Sequence, residues 1–155
     1  MWVKVIGAAL LLLCGGLWCA VRGREERGEQ VRAAALADLL ARVGERIEGL
    51  CLPLEDILAS LPPDLLDACG MAGGSYEAMN AAMAALRDGQ AAEILSRVSA
   101  QLGRGTREDQ VRLCAAASGE LYRRSRTMRE ECRKNGRARV ALVMCAVLCG
   151  IILLW

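Results

Sequence analysis

Residues 111–132 read VRLCAAASGELYRRSRTMREEC, and their spacing decides the fold. Val111, Cys114, Ser118, Leu121, Ser125, Met128 and Cys132 step alternately by three and four. That interval puts side chains on one stripe of an α-helix. Two Ser and two Cys make the stripe a seam of small residues, suited to close packing against a neighbouring helix. Just upstream, Thr106-Arg107-Glu108-Asp109 resembles a capping box, with Asp in place of the usual Glu. The spacing therefore predicts one long helix that runs to about Gly136.

The same reading extends backwards. Ala33, Leu36, Leu40, Val43, Ile47 and Leu50 share a face of a helix over 29–51. Pro53 suits the first turn of the next helix, with Glu55 and Asp56 near its positive end. That helix carries Leu54, Ile57, Leu58 and Leu61, and Pro62-Pro63 ends it. A brief helical turn over 64–69 runs into Gly70 and Gly73-Gly74. Ser75 is placed to cap a helix with Tyr76, Met79, Met83 and Leu86 on one face. Asp88-Gly89 reads as a turn before a helix bearing Ile94, Leu95, Val98 and Leu102, which ends at Gly103. Strand signals are missing, since β-branched residues are sparse, Phe is absent and only two Tyr occur. The loops are short, so neighbouring helices are expected to be antiparallel.

Composition is segregated along the chain. It is 54% hydrophobic and 25% charged over 155 residues. Two uncharged apolar blocks, 5–21 and 140–155, lie at the ends, with all the acidic residues between them. A membrane-crossing helix takes about 20 mostly apolar residues. The first block approaches that length if Trp2, Val3 and a snorkelling Lys4 are added, and Trp2, Trp18 and Trp155 fall near block ends. A cleaved signal peptide is the rival for the first block, but the apolar run is long for one. The expected architecture is thus all-α: a transmembrane helix at 1–21, an antiparallel helical bundle at 22–139, and a transmembrane helix at 140–155. Arg22, Arg24, Arg27 and Arg32 follow the first block, and Arg123 to Arg139 precede the second. By the positive-inside rule the bundle is expected in the cytoplasm.

Chemistry is sparse. With no His, the chain has no Ser-His-Asp or Cys-His nucleophile and no imidazole metal ligand. Cys14, Cys19, Cys145 and Cys149 lie in the apolar blocks. Cys51, Cys69, Cys114 and Cys132 are far apart in sequence, with no C-x-x-C for zinc. Gly103-Arg104-Gly105 lacks the Gly-Lys-Ser/Thr ending of a phosphate loop and reads as a helix-to-helix turn. Glu25-Glu26 and Glu130-Glu131 read as solvated ion-pair faces. A net charge of +2 does not suggest a nucleic-acid binder. No catalytic, cofactor-binding or metal residues are assigned. The arginines before Val140 suit anionic lipid heads.

Taken in order, Pro53-Leu54-Glu55, then Leu102-Gly103-Arg104 followed by Gln110, then Gly150-Ile151-Ile152-Leu153-Leu154, resemble the stage III sporulation protein AB family. The resemblance covers essentially the whole chain. It implies a helical domain similar to the F-type platform of secretion and pilus machines. It also implies a non-enzymatic role in the channel complex between mother cell and forespore, in the mother-cell (outer forespore) membrane. The expected partners are the cytoplasmic sporulation AA ATPase, other stage III sporulation channel proteins, the lipid bilayer and further copies of the chain. An inner-membrane platform protein of a type II secretion or type IV pilus-like machine is the alternative. A membrane-bound metal or redox protein would instead declare itself by bound zinc or a reversible disulfide.

Overall fold

All three prolines fall between 53 and 63, so no proline interrupts the backbone on either side. In the computed structural model the structure describes residues 2–49 and 52–154, and their regular structure is entirely helical. Leu50, Cys51 and Trp155 lie outside the described residues, as do the side chains of Trp2, Lys4, Arg139, Cys149 and 151–154. The order is α1 (Trp2–Gly49), α2 (Leu54–Ala59), α3 (Pro63–Cys69), α4 (Tyr76–Ala84), α5 (Gly89–Gln101) and α6 (Arg107–Leu154).

Local chemistry accounts for most of the boundaries. Pro53 precedes α2 and Pro63 opens α3, where a missing N–H costs nothing. Gly70 closes α3 with φ +76°, and Met71 N–H donates to Leu66 O at 2.9 Å. Ser75 Oγ accepts from Ala78 N–H at 3.1 Å, and Asp88 Oδ2 accepts from Ala91 N–H at 2.9 Å, capping α4 and α5. Before α6 the capping box closes in both directions, with Thr106 N–H to Asp109 Oδ2 and Asp109 N–H to Thr106 Oγ1 both 3.3 Å.

The chain divides into two compact units, 29–127 and 1–28 with 128–155. In the first, α1 buries a wide stripe that includes Ala33, Leu36, Leu39, Leu40 and Val43. Ile57 and Leu58 of α2, Met79 and Met83 of α4, and Leu95 and Val98 of α5 complete the core. On α6 the seam of small residues is buried at Cys114, Ser118, Leu121 and Ser125, while Val111 is only partly covered. Its fit to α1 is close, because a Cβ added at Gly44 would lie 3.0 Å from the Cys114 Cβ. The two buried hydroxyls are satisfied within their own helix, Ser118 on Ala115 O at 3.0 Å and Ser125 on Tyr122 O at 2.9 Å. At Gly74 the backbone meets α2 so closely that a Cβ would sit 2.5 Å from Leu58 O. Only glycine fits there.

The two expected transmembrane helices are corrected by the structure. Among the described residues no helix is long and apolar enough to cross a membrane. Residues 5–21 and 140–154 instead belong to the 48-residue helices α1 and α6. The physical reason is length and dilution. At a rise of about 1.5 Å per residue, runs of this size fall short of about 30 Å of hydrocarbon. The first run also carries Gly7, Gly15 and Gly16, and past Val21 its helix continues as Arg22, Arg24, Glu25 and Glu26. The orientation inferred from the positive-inside rule lapses with the spans, because that rule applies to crossing helices.

Candidate interaction surface

Within the unit of 1–28 and 128–155, the start of α1 and the end of α6 form an antiparallel pair. A Cβ at Gly15 would lie 2.8 Å from Val143 Cγ1, and the Cys132 thiol donates to Glu26 Oε2 at 3.6 Å. A helix that is apolar all round has only one stripe to offer a single partner. The remainder is left outside. Leu13, Leu17 and Leu142 are 70%, 68% and 71% exposed, and Leu10, Trp18, Val21, Val140 and Met144 are exposed beside them. In the bundle, among the described residues, only Val31, Leu52 and Tyr122 are exposed large apolar side chains. An exposed apolar surface of this extent marks a site of interaction.

Beyond the apolar surface comes a band of cations. Arg22, Arg24 and Arg27 on α1, and Arg129, Arg133, Lys134 and Arg137 on α6, are all exposed. Arg133, Lys134 and Arg137 line a recess of about 340 Å³ with Glu130, as spacings of three and four place them on one face. This unit holds nine basic and four acidic residues, whereas residues 29–127 hold eleven basic and fourteen acidic. The chain's small net charge thus conceals a basic hairpin and an acidic bundle. Arg22 and Glu25 meet at 3.4 Å in the open, where an ion pair contributes little.

In the bundle, an open groove of about 500 Å³ runs beside α1, α3 and α6. Ala35, Leu65 and Ala68 supply its apolar lining. Across it the Tyr122 hydroxyl donates to Asp38 Oδ1, and that hydrogen bond holds the phenol's pKa above its ordinary value. Nothing in the spacing of Asp38 and Tyr122, 84 residues apart, announces the pair.

Among the described residues no disulfide joins the thiols. Burial pushes Cys69 up to about 12, helped by the charge of Asp38, and pushes Cys114 up to about 11. A thiol so far above neutrality is a poor nucleophile. Cys14 and Cys145 are exposed, Cys19 and Cys132 partly so. Among the described residues no three Cys, Asp or Glu gather where a metal ion could sit.

The Gly103-Arg104-Gly105 turn is held by Gln110, a role the sequence reading did not assign. Gly103 N–H donates to Gln110 Oε1 at 2.9 Å, and Gln110 Nε2 donates to Gln101 O at 3.1 Å and to Arg104 O. Gly103 and Gly105 both take positive φ, +82° and +94°. Glu108 and Asp109 occupy the first turn of α6, which opposes an anion there. Leu102-Gly103-Arg104 followed by Gln110 is therefore a clasp between α5 and α6. Gln110→Ala is expected to cost about 1 kcal/mol by removing the hydrogen bonds to these part-buried backbone groups, read as a lower unfolding midpoint. An unchanged midpoint would show that water replaces the amide at no cost.

Fold and surface together define an all-α protein with an acidic helical bundle and a basic, apolar helical hairpin. No family model, curated protein or solved structure matches the chain.

Proposed function

We propose that the chain is a non-enzymatic, membrane-attached platform that presents its helical bundle to a cytoplasmic partner. The observation that carries this reading is the hairpin, with Leu13, Leu17, Trp18, Val140 and Leu142 exposed beside a band of arginines. Attachment here means burial of that surface at the face of a bilayer, as amphipathic and re-entrant helices do, without crossing it. The cytoplasmic leaflet is the negatively charged one, which favours that side for a basic hairpin. The chain's lack of His argues against acid–base or nucleophilic catalysis of the usual kinds.

Resemblance to the stage III sporulation protein AB family supports the finer reading. On it, the platform belongs to the mother-cell side of the sporulation channel, and a cytoplasmic ATPase and other channel proteins dock on the bundle. The groove at Asp38 and Tyr122 is the place to look for such docking. A photo-crosslinking amino acid at Asp64, on the groove's rim, should capture an ATPase in sporulating cells. The chain itself should leave the membrane fraction with detergent and not with salt alone. A chain found in the soluble fraction would overturn attachment, and capture without an ATPase would overturn the motor.

A further inference from the structure

We infer that the basic band of the hairpin selects anionic phospholipid, so that the chain binds a bilayer bearing phosphatidylglycerol in preference to a zwitterionic one. This rests on the membrane-attached reading and names the lipid which that surface takes. Three observations within the hairpin carry it.

The first is charge. Nine basic residues face four acidic ones there, although the chain as a whole is only +2. Among those carboxylates, Glu25 is engaged by Arg22 at 3.4 Å and Glu26 by the Cys132 thiol at 3.6 Å. The second is continuity. Trp18 and Val21 give way to Arg22 and Arg24, and Arg137 stands three residues before Val140. A surface that receives the apolar side chains brings its headgroups to the arginines in the same step. The third is convergence. Arg133, Lys134 and Arg137 line one recess of about 340 Å³ with Glu130, three cations to one carboxylate, and there two guanidinium groups can each grip phosphate oxygens in pairs. A soluble polyanion such as nucleic acid would satisfy the cations but leave Leu13, Leu17 and Trp18 in water. A bilayer meets both demands.

The test is flotation of the full chain with phosphatidylcholine vesicles, with and without phosphatidylglycerol, which separates lipid-bound chain from aggregate. A basic residue at an anionic surface strengthens binding about fivefold. Replacing Arg133→Gln together with Arg137→Gln should therefore weaken binding to the anionic vesicles about 25-fold and leave binding to neutral vesicles unchanged. Added salt should weaken binding of the unaltered chain to the anionic vesicles alone, an arm that stands even where the variant fails to fold. Equal binding of the unaltered chain to both vesicles, insensitive to salt, overturns the inference and leaves attachment standing. No flotation with either vesicle overturns attachment itself. Binding to a DNA duplex as tight as to the anionic vesicles also overturns the inference, by assigning the band to polyanions in general.

Discussion

Replacing Leu121 with Ala is expected to lower the stability of the bundle by about 2–5 kcal/mol. Leu121 is fully buried, and its neighbours along the same stripe of α6 are small: Cys114, Ala117, Ser118 and Ser125. Truncation removes the transfer free energy of the lost carbons and leaves a cavity that the surroundings must close. Short side chains have little reach with which to close it. Gly44 against Cys114 further limits collapse, since α1 already approaches α6 as nearly as a Cβ permits. The expected cost therefore lies toward the upper part of that range. Unfolding by urea, followed by loss of helicity, should show a lower midpoint at an unchanged slope. An unchanged midpoint would mean that the α6 seam packs loosely enough to refill the space.

This seam was legible in the sequence because helical burial writes a local signal. Cys114, Ser118, Leu121 and Ser125 recur at three and four, and the structure buries all of them. The face Ala33, Leu36, Leu40 and Val43 was legible for the same reason. Caps at Ser75 and Thr106 are also local, since each oxygen serves an N–H three residues on. The ends of the chain were misread through an assumption about boundaries. Reading charge as a boundary separates the apolar runs from the bundle at 21 and 140, but a charged residue does not stop a helix. Pro would stop it, and none occurs before Pro53 or after Pro63. Gly23 and Gly28 weaken α1 by only about 1 kcal/mol each, and the helix runs through them. What no local spacing reveals are pairs made across the fold. Tyr122 with Asp38, Gln110 with the turn before it, and Arg124 with Asp88 all depend on which helices meet.

The last of these pairs carries a large expected effect. Asp88 caps α5 through Ala91 N–H, and the same carboxylate takes both arms of Arg124 on α6. The Arg124 Nε and Nη2 distances are 3.0 and 2.7 Å, and the side chains of Arg124 and Asp88 are 19% and 13% exposed. One small residue thus fastens the start of α5 to the middle of α6. Asp88→Ala takes the carboxylate away from a partly buried guanidinium and opens the helix end, at an expected cost of about 2–4 kcal/mol. Asp88→Asn keeps an oxygen for the cap and loses the charge, so the two variants should differ by about 1 kcal/mol. Arg124's hydrogen bonds hold the Asp88 carboxyl below the usual carboxylate range, against the opposing effect of burial, and Ala91 N–H adds to them. The sign of the pH effect follows from that depression. The unfolded chain takes up this proton more readily, near an ordinary value of about 3.9, so the contribution is complete above that pH. It is lost as pH falls through the lower folded value. Acid unfolding of the unaltered chain should therefore include a component that Asp88→Asn lacks, while the two curves run parallel above about pH 5. If the variant lost stability in acid as steeply as the unaltered chain, the carboxylate's bond to Arg124 would not be what holds α5 to α6.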